Sequence, residues 1–308
     1  MIATHRKYSN LAILTFILAF IVILLGAFTR LTDAGLSCPD WPNCYGYLTA
    51  PHTDMQLQGA SLSYPMLPVN VKKAWTEMTH RYFAGTEGIL ILILSLSMLC
   101  STQNRKSIGL PIVLMGLVLV QILLGMLTVT AKLKPVIVLS HLLTGLSILS
   151  VLWWIILDFY YRTSPHRTTR FTPWITLALL LVAGQIALGG WVSTHYAGLA
   201  CVDFPYCNGQ LLPTLQWSQL DSDLISIHML HRIGALITAT YLTLLSFCLV
   251  RHKTFRLAGI MILSLLCLQI TLGILNILWL RPVLMALAHQ AVGILLLLTV
   301  IATLVKST

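Results

Sequence analysis

The sequence predicts an all-α integral membrane protein of eight transmembrane helices, built as two pseudo-twofold-related four-helix bundles. Three observations predict it. Of 308 residues, 57% are hydrophobic and 9% charged, with a mean hydropathy of +0.86; soluble domains carry roughly 25% charged residues. Apolar runs of about 20 residues recur, the length a helix needs to cross a hydrocarbon core of roughly 30 Å. The second half also repeats the first, mark for mark. A membrane β-barrel would instead show short alternating segments.

In the first half the runs fall at about 11–30, 79–100, 109–130 and 137–159. The first follows a short basic segment without an A-x-A cleavage site, so it reads as a retained span rather than a signal peptide. In the second half they fall at about 172–192, 226–250, 256–278 and 283–304. The basic, polar, proline-containing stretch 161–171 reads as a linker, which divides the chain into 1–160 and 172–308. Four spans per half return the chain to its starting side. The halves then share one orientation, related by an axis along the membrane normal.

The net charge of +10 is no nucleic-acid signature. Arg6, Lys7, Arg105, Lys106, Arg162, Arg167, Arg170, Arg251, Lys253, Arg256 and Lys306 gather at one set of span ends. Asp33, Asp40, Asp54, Asp203, Asp221 and Asp223, with fewer bases, gather at the other. The positive-inside rule puts both termini in the cytoplasm and both cysteine loops outside.

The repeat carries the candidate chemistry. LGAFTRLTDAGLSCPDWPNC (Leu25 to Cys44), EMTHRYFAG, QILLG and SHLLTG return as LGGWVSTHYAGLACVDFPYC (Leu188 to Cys207), HMLHRIGA, QITLG and AHQAVG. The offset is 163 residues at the cysteines and about 150 at the histidines. His80 and His141 are expected to open the second and fourth spans, and His231 and His289 do so in the second half. Two crossings separate the members of each pair, so both lie at one depth on helices running the same way. Two imidazoles facing across a bundle are what a bis-histidine haem requires. A single histidine would be read as bonding a carbonyl at the membrane edge. Four in matched positions weigh the other way, because ionisable groups at membrane depth are costly. Zinc or copper would want further ligands, and only His228 is near. His5, His52, His166, His195 and His252 are expected to be solvated. Arg81 and Arg232 each follow a ligand candidate; they either pair with haem propionates or snorkel to the interface.

Glu77 lies three residues before His80, on the same helix face, whereas the matched position in the second half is His228. A carboxylate beside one haem only could stabilise developing positive charge or accept a proton, which would make that haem the reacting one. The alternative is a carboxylate favoured at a helix start by the dipole. Glu87, two turns deeper, reads as a proton relay or an interhelical hydrogen bond. Gln121 and Gln269 match, and are expected to hydrogen-bond within the bundles. Cys38–Cys44 and Cys201–Cys207 have equal spacing in loops on the oxidising side, so disulfides are expected, each stabilising by roughly 2 kcal/mol. A redox-active pair is the other reading. Cys100, Cys248 and Cys267 read as packing residues.

Over essentially the whole chain these residues resemble the haem A synthases of aerobic bacteria and mitochondria. The resemblance rests on TRLTDAGLSCPDWPNCYG (Thr29 to Gly46), EMTHR (Glu77 to Arg81), His231–Arg232, and the partners His141 and His289. It implies oxidation of the C8 methyl of haem O to a formyl group through hydroxymethyl intermediates, with oxygen from water, giving haem A for cytochrome oxidase. It implies a substrate haem held by His80 and His141 beside catalytic Glu77, and a resident haem b held by His231 and His289. It further implies a bacterial cytoplasmic membrane, haem O synthase as the upstream partner and an electron acceptor that the sequence does not identify. His228, where a second carboxylate would stand, leaves its own role open, and the oligomeric state is open too. A rival reading is a di-haem b electron carrier. A haem transporter fits less well, because no broken-helix signature occurs.

Overall fold

The computed structural model describes residues 2–100, 108–161 and 169–308, apart from the side chains of 2–8, 161 and 169. The expectations for His5, His166, Arg6, Lys7, Arg105, Lys106, Arg162 and Arg167, and for most of the linker, lie outside the described residues. Among those described, eight helices are long and apolar enough to cross a membrane. They are α1 (Ile2–Leu31), α3 (Val71–Leu99), α4 (Gly109–Thr130), α5 (Pro135–Tyr161), α6 (Thr172–Thr194), α7 (Leu224–Arg251), α8 (Arg256–Leu278) and α9 (Val283–Ser307). A short helix, α2 (Asp54–Ser63), lies between α1 and α3. The described residues form no strand beyond two isolated bridges, Cys44 with Tyr47 and Cys207 with Gln210.

The chain divides into two compact units, Met1–Ile156 and Leu157–Thr308. In unit 1, α1 packs on α3 and α3 on α4. His141 of α5 lies against Gly125 of α4, and Trp153 of α5 stacks on Phe16 of α1 at 5.1 Å. The four helices thus close on themselves. Unit 2 closes in the same cyclic order: α6 on α7, α7 on α8, α8 on α9 and α9 on α6. Large apolar side chains such as Leu119, Leu236 and Leu284 face outward, while Ala12, Ala19 and Ala178 are fully buried. This suits a bilayer, where lipid solvates leucine as well as a core does and small residues let helix backbones approach.

Some helix starts differ from the apolar runs. α3 begins at Val71, because the Asn70 side chain accepts a hydrogen bond from Lys73 N–H at 3.1 Å and caps a polar first turn. Asp223 caps α7 in the same way through Ser226 N–H at 2.9 Å. The four histidines do not open their helices, as the apolar runs suggest, but lie roughly one and a half to two and a half turns inside them. Matched tight turns with positive φ at Lys132–Leu133 and Leu280–Arg281 join α4 to α5 and α8 to α9.

Candidate functional site

Each histidine rests on a glycine of the neighbouring helix. A Cβ on Gly26 of α1 would lie 2.9 Å from His80 Cε1. The equivalent approach is 3.4 Å from Gly125 to His141, 3.1 Å from Gly189 to His231 and 3.1 Å from Gly273 to His289. At Gly26, Gly189 and Gly273 the missing Cβ makes room for the ring, whereas at Gly125 the contact would be an ordinary one. One turn before the glycine, the carbonyls of Val22, Gln121 and Gln269 lie near His80, His141 and His289. They do not make a full hydrogen bond, so Nδ1 of these three rings is buried without a partner. At the fourth site a side chain replaces the carbonyl: Gln185 Nε2 lies 3.0 Å from His231 Nδ1. The folded units bring His80 within electrostatic reach of His141, and His231 within reach of His289 and His228.

Above each pair sits a disulfide loop of one design. Cys38–Cys44 and Cys201–Cys207 are bonded and buried. Asp40 accepts from the N–H groups of Tyr45 at 2.6 Å and Gly46 at 2.8 Å. Asp203 does the same with Asn208 at 2.6 Å and Gly209 at 2.9 Å. Both turn pairs have positive φ, with Gly46 and Gly209 at +81°, the backbone of a hairpin turn in which glycine is unstrained. The Gly209 N–H, with that of Asn208, holds the Asp203 carboxyl below its ordinary range despite some desolvation. The Tyr45 phenol is pushed up, first by burial and then by the negative charges of Glu77 and Asp40.

The arginines clamp these loops through the main chain. Arg81 Nη1 donates to the carbonyls of Asp40 (3.0 Å), Pro42 (3.2 Å) and Asn43 (2.7 Å), and Nη2 donates to Glu77 Oε1 at 2.5 Å. Glu77 Oε2 accepts the Cys38 N–H at 2.9 Å, and the residue is only 4% exposed. In unit 2, Arg232 donates to the carbonyls of Tyr206 (2.8 Å), Cys201 (3.1 Å) and Asp203 (3.1 Å). His228 Nδ1 takes the place of the carboxylate by accepting the Cys201 N–H at 3.3 Å. Each arginine is thus engaged with a loop, and Glu77 and His228 are equivalent hinges between disulfide and ligand helix.

Other expectations fare differently. His195 stacks on Trp191 at 4.2 Å, and His252 packs on Phe171 and Phe255 at 5.5 and 5.6 Å, so neither is simply solvated; His52 is exposed. Cys100, Cys248 and Cys267 are exposed rather than packed inside, as thiols can be where the solvent is lipid. Gln269 Nε2 reaches His289 Nε2 at 3.3 Å, whereas Gln121 makes no side-chain hydrogen bond among the described residues. Glu87 makes none either and lies partly buried on α3. The sequence reading missed Gln185, the histidine-facing glycines and the loop aspartates. Their signal was present in the matched Leu-Gly marks and the shared Asp of the two cysteine loops.

The chain is similar to known proteins over most of its length. A heme A synthase of Shewanella oneidensis is 39% identical over 312 residues, covering 94% of this chain and 93% of that protein. Heme A synthases of Allorhizobium ampelinum and Alkalihalophilus pseudofirmus are each 26% identical, covering 90% and 82% of this chain and 84% and 80% of theirs. Residues 9–301 match the COX15-CtaA family, described as cytochrome oxidase assembly protein, and the chain belongs to that family.

Proposed function

We propose that this chain is a haem A synthase, a membrane oxidoreductase that oxidises the C8 methyl of haem O to the formyl group of haem A. The observation that carries the reading is the 39% identity to a heme A synthase across nearly the whole of both chains. The residues fit the porphyrins it requires. Each unit offers two imidazoles inside a helix bundle, seated on glycine, and three of the four have Nδ1 buried without a partner. Among the described residues no three His, Cys, Asp or Glu side chains gather as a metal cluster. The donor set is thus a pair of imidazoles per unit, as axial haem ligation uses.

On this reading His80 and His141 hold the substrate haem, and His231 and His289 hold a resident haem b. A haem b held there would supply one-electron transfer. The chain's own residues position and insulate. Glu77 places a carboxylate one turn from His80 in unit 1 only, compensated by Arg81, where it can stabilise positive charge arising near that site. His228 holds the equivalent loop without that charge. The charge distribution along the sequence puts both termini in the cytoplasm and the cysteine loops outside a bacterial inner membrane. Haem O synthase is the natural supplier of substrate.

The test is haem extraction and chromatography from cells expressing this chain with and without a haem O synthase. Formyl haem, or its hydroxymethyl precursor, should appear only when haem O is supplied, and Glu77→Ala should keep haem bound but block conversion. Recovery of haem b alone, with haem O left unchanged, would favour the di-haem electron carrier.

A further inference from the structure

On α3 the residues that face into unit 1 follow one another at alternating steps of three and four: Glu77, His80, Ala84, Glu87, Ile91 and Leu94. Glu77, Ile91 and Leu94 are buried, and His80 lies against Gly26 of α1. Ile89, Ile93 and Leu96, on the opposite side of the helix, are exposed, as a lipid-facing surface is. Glu87 therefore shares the inward face with His80, about 10 Å further along the helix and away from the disulfide loop. It is partly buried, and no hydrogen bond or ion pair reaches its carboxyl among the described residues. Setting His80 against His231 puts Thr238 of α7 in the same place in unit 2, where it is buried. A carboxyl at membrane depth is costly, and this one, like Glu77, belongs to unit 1 alone.

We propose that Glu87 is a specificity residue, which accepts a hydrogen bond from the hydroxyl of the substrate's hydroxyethylfarnesyl side chain and so selects haem O over haem b. The proposal rests on the reading above, with the substrate haem on His80 and His141. The two haems differ at one position: haem b carries a vinyl group where haem O carries a hydroxyl-bearing carbon extended by a farnesyl chain. That side chain leaves the macrocycle at the edge opposite the two propionates. The propionates are charged and stay toward the outer loops and water, whereas the farnesyl chain is hydrocarbon and stays in the membrane. Both preferences turn the hydroxyl down α3, away from the disulfide loop, to the side on which Glu87 stands. A carboxyl accepts this bond whether ionised or protonated. Haem b would leave the acid in an apolar place without a partner, a penalty that falls on the wrong substrate alone. Unit 2 has no such choice to make, since its resident haem carries the vinyl, and Thr238 brings no charge there.

The experiment uses the full chain in detergent carrying His231→Ala, so that a bis-imidazole haem spectrum reports unit 1. Haem O and haem b are each titrated in, and the ratio of their dissociation constants is read from that spectrum. Burial of the farnesyl chain favours haem O in every variant, so the change in the ratio is what counts. Glu87→Leu should cut the preference for haem O by roughly 10-fold, the worth of one buried hydrogen bond, and should leave haem b bound at least as well. Glu87→Gln, which keeps an acceptor oxygen, should hold most of the preference. If Glu87→Leu leaves the ratio unchanged, or weakens both haems alike, Glu87 is a proton carrier or a packing group and the proposal falls. His141→Ala provides the separate check: if the bis-imidazole spectrum survives it, the haem is not held in unit 1 as assigned, and the two-haem reading fails and takes the proposal with it.

Discussion

At the scale of single residues, the site is defined as much by what glycine omits as by what histidine supplies. The 2.9 Å approach of a Gly26 Cβ to His80 Cε1 leaves no space for a methyl group between α1 and the ring. Gly26→Ala must push the imidazole or the helix aside, at about 1–3 kcal/mol of overpacking. Haem bound per protein at the unit 1 site should fall, as a pyridine haemochrome assay on His231→Ala background would show; unaltered haem content would refute the cradle. Sequence alone singled out the four histidines as candidates because ionisable groups are rare in apolar runs and these four recur in register. It passed over the glycines, since a glycine in a membrane helix has many ordinary explanations and only the folded chain reveals which ring lies opposite. Gln185 was missed for a related reason. Its partner is another helix's imidazole, and the repeat shows a difference from Val22 without saying what the difference touches.

At the scale of elements, the spans were legible and their ends were not. α4 and α8 coincide with their apolar runs, because hydropathy changes abruptly where they stop. α3 starts well ahead of its run, where Asn70 capping extends a polar turn into the loop. α2 was overlooked altogether, although Thr53 and Gln56 form a capping box; ten weakly patterned residues give no periodic signal. The disulfide loops are elements in their own right, and their acid response follows from Asp203. Its pKa is lowered on folding, so it contributes stability that is complete above the ordinary carboxylate range and lost as pH falls through the lowered value. Amide protection at Asn208 and Gly209, taken relative to intrinsic exchange at each pH, should therefore be full at neutral pH and fall only below the ordinary carboxylate range. In Asp203→Asn the protection should be weaker throughout and independent of acid; an acid-dependent asparagine variant would assign the effect to another group.

At the scale of the whole molecule, two compact units carry one plan with different fittings. The sequence points toward a duplicated plan because the repeat preserves its marks in order, and because the eight apolar stretches divide evenly about a polar linker. The membrane orientation derives from charge, and a reporter test checks it. A phosphatase fused within the Cys38–Cys44 or Cys201–Cys207 loop should be active outside the cell membrane, and one fused at Lys253 should be silent. The reverse pattern would invert the topology. The arginine clamps have a further consequence for how this protein can diversify. Arg81 grips its loop through carbonyl oxygens, Arg232 through carbonyl oxygens and the ring of Phe204, 6.0 Å away, and Asp40 and Asp203 grip the turns through amide hydrogens. The hydrogen bonds of that frame do not read the side chains they hold in place. Trp41 and Asn43 in one loop, and Tyr206 in the other, are thus like interchangeable type set in a fixed forme: the lettering can be rewritten for a new neighbour while the press stays as it is.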